Sequence, residues 1–210
     1  MVALEERVPD RLVGIIRSED SEIAFRAAVA AVEGGLGTIQ VSVAAAEAFD
    51  IARGVSASTG ARVGVGSVTD IHTVGLAKKA RVSFVATSFL QPEVAAAARR
   101  ERMLCVMGAT TPSEAFEAIR AGAEVVNLFP VASMGGPHYV RLLREPLPNA
   151  SLWVSGGVAV NQIPEFIQLG VTVCLSSAIF PAEALRRGDF AAVRELAAQA
   201  SSLVPQATRR

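Results

Sequence analysis

The chain has 210 residues, 51% hydrophobic and 19% charged, with 17 glycines and 10 prolines, which fits a globular protein with one sizeable core and excludes disordered or collagenous classes. Twenty basic and twenty acidic residues cancel, and there is a single Trp and a single Tyr, so neither charge nor a stacking platform draws the chain to nucleic acid. No apolar run is long enough for a membrane span, and the opening segment MVALEERVPDR lacks the apolar core of a signal peptide, so a cytoplasmic location is expected.

One pattern repeats: a short β-rich run, a polar opening, an alanine-rich helical run and often a glycine. Leu12 to Ile16 reads as the first strand, and Asp20 or Ser21 caps a helix to Glu33 that Gly34-Gly35 ends. Thr38 to Val41 is the second strand, followed by a helix from Ala44 to Ala57 and Gly60. Arg62 to Val65 is the third, after which Thr69-Asp70 opens a helix through Lys79. Val82 to Ala86 precedes a helix from Pro92 to Arg100. Met103 to Met107 precedes Thr111-Pro112-Ser113-Glu114, a helix cap with proline in the first turn, and Gly122 ends that helix. Glu124 to Leu128 is the sixth strand, with a short helix after Gly135-Gly136-Pro137. Ser151 to Val154 leads to a helix from Val160 to Leu169, and Val171 to Leu175 is the eighth strand. Helices over Pro181 to Arg186 and Phe190 to Ala200 complete the series.

Strands alternating with helices imply a parallel sheet. Eight evenly spaced units favour closure into an α/β (β/α)8 TIM barrel over an open doubly wound sheet. The barrel is trimmed, since about 250 residues is typical. Residues 1–200 read as one domain, with 201–210 a flexible tail. In either fold a ligand site lies at the C-terminal ends of the strands.

Those ends carry Arg17, Gln40, Gly66-Ser67, Thr87-Ser88, Gly108, Asn127 with Phe129-Pro130, Ser155-Gly156-Gly157 and Ser176-Ser177. Ser155-Gly156-Gly157 and Ser176-Ser177 suit a phosphate cradle, because glycines let backbone N–H groups approach an anion and a helix start adds to the attraction. The same residues also serve as turn glycines and cap serines. Met134-Gly135-Gly136-Pro137 either covers a pocket or starts a helix. His72 and His138 have no triad or metal cluster around them, and Lys78-Lys79-Ala80-Arg81 precedes the fourth strand, at the wrong end of a barrel for catalysis. Cys105 and Cys174 sit in the apolar runs MLCVM and VTVCL and read as buried thiols. No metal-ligand set and no cofactor is expected.

Taken together, Val13-Gly14-Ile15-Ile16-Arg17, Gly64-Val65-Gly66-Ser67-Val68, Gly108 to Glu114, Asn127-Leu128-Phe129-Pro130, Ser155-Gly156-Gly157-Val158 and Ser176-Ser177 resemble the 2-keto-3-deoxy-6-phosphogluconate and 4-hydroxy-2-oxoglutarate aldolase family. The likeness runs from about Leu12 to Ala198. It implies a compact barrel, commonly a homotrimer, and an ancestral cleavage of a 2-keto-4-hydroxy acid to pyruvate and an aldehyde through a lysine Schiff base. The likeness departs at the chemistry. The family's Schiff-base lysine corresponds to Asn127 and its acid/base glutamate to Gln40. The arginine of the second-strand motif corresponds to Ala44, and Ser-Pro-Gly after strand four to Thr87-Ser88-Phe89. Arg17, the Ser155-Gly156-Gly157 turn and Ser177 match.

An amide nitrogen cannot form the imine, and a glutamine cannot shuttle a proton near neutral pH. The expected binding positions are therefore Arg17, Gln40, Ser67, Thr87, Asn127, Ser155, Gly156, Gly157, Ser176 and Ser177, with no catalytic residue assigned. Three readings follow. The barrel has lost Schiff-base cleavage and keeps a pocket for a small keto acid or a phosphorylated small molecule, or acts as an interaction protein. It is an active lyase of altered, metal-assisted mechanism. Or it is a structural subunit with an empty pocket.

Overall fold

The structure, a computed structural model, describes residues 10–44 and 47–205. Eight parallel strands close in chain order, with β8 pairing back to β1. They are β1 (Leu12–Ile16), β2 (Thr38–Ser42), β3 (Arg62–Gly66), β4 (Phe84–Ala86), β5 (Leu104–Ala109), β6 (Val125–Leu128), β7 (Leu152–Val154) and β8 (Thr172–Leu175). The helices are α1 (Ser21–Glu33), α2 (Ala48–Thr59), α3 (Ile71–Lys79), α4 (Pro92–Arg100), α5 (Pro112–Arg120), α6 (Gly136–Arg144), α7 (Ile163–Gln168), α8 (Ala182–Arg187) and α9 (Phe190–Ser202). Short 3-10 turns at Val131–Met134 and Val160–Gln162 precede α6 and α7. This is the (β/α)8 barrel that the repeating pattern predicts.

Two cores follow from the alternation of strand side chains. Outward residues such as Ile16, Ile39, Val41 and Val65 pack on the alanine faces of the helices, with Ala24, Ala27, Ala28 and Ala31 of α1 wholly buried. Small helix side chains let the helices sit close to the sheet and suit a trimmed barrel. Inward residues form a separate cluster that includes Val13, Ile15, Phe84, Leu104, Val106, Val125 and Trp153. Phe84 meets Trp153 edge to face, with centroids 5.3 Å apart.

Below this layer the barrel is plugged by polar groups. The Asp10 carboxylate accepts a hydrogen bond from the Thr38 hydroxyl and lies 3.7 Å from the Arg62 guanidinium. The Asp10 carbonyl accepts from the Thr172 hydroxyl at 3.3 Å.

Most element ends follow the sequence signals. Asp20 and Asp70 cap α1 and α3 through their side chains, and Thr111 with Glu114 closes a capping box on α5. Three segments differ from the sequence reading. Helix α2 starts at Ala48 rather than Ala44, after Glu47 in a left-handed conformation with no side-chain cap; residues 45 and 46 lie outside the described residues. The helix expected from Val160 opens as a 3-10 turn, because Pro164 has no N–H to bond back to Val160. At the other end, α9 continues to Ser202 and Val204 is buried, so the chain stays packed past the point where a tail was expected; 206–210 lie outside the described residues.

Candidate functional site

The inward positions nearest the C-terminal ends of β2, β6 and β7 are polar, above an apolar residue on β6 and β7 and a threonine on β2. Gln40 follows Thr38 on the inner face of β2, Asn127 follows Val125 on β6, and Ser155 follows Trp153 at the end of β7. Here Arg17, Gln40, Ser67, Thr87, Asn127, Ser155, Gly156, Gly157, Ser176 and Ser177 line one cavity of about 110 Å³. All ten candidate positions are thus brought to one place. Ser88, Phe129, Ile15, Val158 and Cys174 complete the lining. Cys174 was read from sequence only as a buried apolar thiol. Its spacing of two from Ser176 on one strand face was the available signal that it points the same way.

The polar groups differ in what they have left to offer a ligand. The Thr87 hydroxyl donates to the Phe89 carbonyl at 2.7 Å and accepts from the Gly108 N–H at 3.0 Å. It shapes the loop after β4, and its donor is already taken. Asn127 is 9% exposed, and its Oδ1 accepts from the Ser155 hydroxyl at 2.9 Å. No protein group among the described residues takes its NH2.

Gln40 is 7% exposed, and its amide lies across Gly66, where any Cβ would strike it. It too has no protein hydrogen-bond partner among the described residues. The amide faces the cavity, where water or a ligand completes its hydrogen bonds. Ser42 donates to the Ser67 hydroxyl at 3.3 Å, which fixes the edge of the pocket next to Gln40.

On the opposite wall, Gly156 and Gly157 have φ of 87° and 79°, values that side chains rarely adopt. A Cβ on Gly156 would also lie 2.8 Å from Phe129 and Pro130. The Ser155 and Gly156 carbonyls accept from the N–H groups of Val131 and Ala132 at 2.8 and 3.1 Å. No protein group among the described residues accepts from the Gly156 or Gly157 N–H. After β8, the Ser176 carbonyl takes the Ile179 and Phe180 N–H groups at 2.9 and 2.8 Å.

Arg17 is the one charged side chain among the described residues that line the cavity. Beneath it, burial pushes the Cys174 thiol far up, so it stays protonated. Acidic groups cap the helices around the rim. The Thr73 backbone N–H and hydroxyl hold Asp70 below the ordinary carboxylate range. The Thr111 and Thr110 N–H groups do the same for Glu114. His72 and His138 are exposed and outside the lining. Lys78 and Lys79 end α3, at the other face of the barrel, and Lys78 Nζ donates to the Glu101 carbonyl at 2.7 Å. Met134 to Pro137 starts α6 and is also outside the lining. Among the described residues no three His, Cys, Asp or Glu side chains converge as a metal site, and no helix is long and apolar enough to cross a membrane. A wider cleft of about 460 Å³, between Asp10, Gly34, Gly37 and Ser201, lies at the N-terminal face and holds none of the candidate residues.

Fold and site define a (β/α)8 barrel with a small polar cleft at the C-terminal ends of its strands. The family model for KDPG and KHG aldolase matches residues 5–196, and the chain belongs to that family. It is 28% identical over 203 residues to the 2-dehydro-3-deoxy-phosphogluconate aldolase of Treponema pallidum, covering 95% of each chain. Two solved structures share the fold. The 2-keto-3-deoxy-6-phosphogluconate aldolase of Zymomonas mobilis with 3-phosphoglycerate is 20% identical, with a TM-score of 0.85 over 96% of this chain and 95% of that one. The KDPG aldolase of Legionella pneumophila, with pyruvate captured as a covalent carbinolamine, is also 20% identical, with a TM-score of 0.83 over 91% and 94%.

Proposed function

We propose that this barrel binds a small keto acid or phosphorylated molecule and does not cleave it through a lysine Schiff base. The observation that carries this reading is Asn127. It stands on the cavity wall at the position that resembles the family's lysine, bonded to Ser155 at 2.9 Å. The chain's lysines, Lys78 and Lys79, end a helix on the far face. Imine formation needs a primary amine at the ligand carbonyl. Gln40, at the position that resembles the acid/base glutamate, has no carboxylate to move a proton. The two changes are chemically consistent as a pair, since losing the lysine alone would strand a carboxylate in a confined pocket. The NH2 groups of Gln40 and Asn127, which no protein group among the described residues takes, are available to donate to a ligand carbonyl or hydroxyl. By family resemblance the assembly is a homotrimer, and light scattering at micromolar concentration checks this.

Borohydride reduction with pyruvate, followed by intact mass measurement, tests the central claim. No adduct is expected. A trapped adduct that depends on the folded protein would overturn it. Pyruvate release from a 2-keto-4-hydroxy acid, measured with and without divalent metal, separates a binding barrel from a lyase of altered mechanism. The restoring pair Asn127→Lys with Gln40→Glu is expected to regain imine formation, and Asn127→Lys alone to regain less.

A further inference from the structure

Charge is distributed unevenly around the cavity. Arg17, the Gly156-Gly157 turn and Ser176-Ser177 come from β1, β7 and β8, which are neighbours in the barrel. That side offers a guanidinium and N–H groups with no protein acceptor, which together suit one anionic group. The side built from β2, β3, β4 and β6 presents Gln40, Ser67, Thr87, Ser88 and Asn127, none of them charged.

Its rim is acidic. Glu47 precedes α2, Asp70 caps α3, Glu93 lies in the first turn of α4 and Glu114 in that of α5. The basic residues of α3, α4 and α5 sit at the opposite ends, Lys78 and Lys79, Arg99 and Arg100, and Arg120, while Arg53 of α2 pairs with Asp50 of the same helix. Asp70 and Glu114 already occupy N–H groups at their helix starts, so those N-termini are not free to hold a second anion. A carboxylate on this side would be desolvated with no cation to meet it, and desolvating an unpaired charge is costly. An uncharged hydroxyl, carbonyl or amide would instead complete Gln40, which is 7% exposed and unpartnered among the described residues.

The geometry points to a ligand with a single anionic group, a phosphate monoester, whose other end is uncharged and forms hydrogen bonds to Gln40 and Asn127. This rests on the reading that the cavity binds a small molecule, and it narrows that reading to phosphorylated ligands without a carboxylate. The cavity of about 110 Å³ is well below the size of drug-sized clefts, so the uncharged end is short.

Four probes test this by calorimetric titration of the full chain at one pH and ionic strength: inorganic phosphate, glycerol 3-phosphate, 3-phosphoglycerate and pyruvate. Glycerol 3-phosphate and 3-phosphoglycerate differ by a hydroxymethyl group against a carboxylate. Glycerol 3-phosphate is expected to bind at least ~10-fold more tightly than 3-phosphoglycerate, the preference that an unpaired carboxylate implies. It is also expected to exceed inorganic phosphate, and pyruvate is expected not to saturate. Gln40→Leu should remove the advantage of glycerol 3-phosphate over inorganic phosphate while inorganic phosphate itself binds as before. Ser177→Ala should weaken all three phosphorylated probes alike.

Equal or tighter binding of 3-phosphoglycerate overturns the inference and leaves the ligand pocket standing. So does saturation by pyruvate. If Gln40→Leu weakens inorganic phosphate as much as glycerol 3-phosphate, Gln40 acts only through the fold and the inference also fails. If no probe saturates at millimolar concentration, the ligand pocket fails and this inference with it.

Discussion

Gly64→Ala is the most exacting test of the barrel interior. Gly64 lies on β3, where an added methyl would come within 2.5 Å of three ring carbons of Phe84. Comfortable carbon contacts are about 3.5–4.0 Å. The ring has no free direction. It is fully buried and meets Trp153 edge-on at an interplanar angle of 82°, and Trp153 is itself buried. Nor can the strand slide, because Gln40 pairs with Gly64 on one side and Val65 with Val85 on the other. The clash is relieved only by off-rotamer side chains and backbone shifts, which cost about 1–3 kcal/mol in a packed core, and the absence of slack places this site near 3. At about 2–4 °C per kcal/mol for a chain of this length, the expected fall in Tm is about 6–12 °C.

Thermal unfolding followed by circular dichroism reads it, with urea midpoints as the check if heating is irreversible. Phe84→Leu shortens the opposing side chain, so the double variant Gly64→Ala/Phe84→Leu should be less destabilised than the sum of the singles. A Gly64→Ala protein that melts within about 2 °C of the parent, or a strictly additive double variant, would refute the packing argument.

Ser155→Ala leaves Asn127 Oδ1 without its donor in a buried site, so a loss of about 1–2 kcal/mol is expected in urea unfolding. Glu114→Gln weakens the α5 capping box. Because the Glu114 carboxyl is held below its ordinary value in the fold, its contribution is complete above the unfolded value and disappears as pH falls through the lowered one. The stability gap between parent and Glu114→Gln should therefore shrink in acid, and a gap that widens there would contradict the assignment. Burial pushes the Cys105 thiol up to about 12 and Cys174 higher, so a thiol-specific aromatic disulfide should label neither in the native protein at pH 8 and both in denaturant. Rapid native labelling would show a more open barrel.

The strand–helix alternation and the capping residues made the barrel legible. Asp70, Thr111, Glu114 and the glycines that follow the helices each report a local event that the neighbouring residues decide. The cavity was legible for the same reason: every second strand residue faces the barrel axis, so Gln40, Asn127 and Ser155 could be grouped from the alternation near the strand ends. What each group has left to offer was not legible. Thr87 and Ser155 look alike in sequence, yet Thr87 spends its hydroxyl on Phe89 and Gly108 while Ser155 bonds Asn127. Gly108 and Asn127 lie on other strands, and no local pattern records those two contacts. The same holds for Gln40, whose amide rests on Gly66 only because β2 and β3 are in register, Gln40 beside Gly64 and Ser42 beside Gly66.

The polar plug at the base of the barrel has a consequence for how this protein tolerates change. Asp10 joins β2, β3 and β8 through Thr38, Arg62 and Thr172, and the Phe84–Trp153 contact ties β4 to β7 one layer higher. The cavity-mouth residues Gln40, Ser67, Ser88 and Ser177 take no part in either. Their substitution draws on a different set of contacts from those that keep the strands closed, so effects at the two ends should add rather than compound. A library randomised at those four positions is expected to stay largely folded while its ligand preferences scatter, and the same library with Asp10→Ala is expected to lose folded members across the board. A barrel built this way can exchange its chemistry through small steps without first acquiring extra stability.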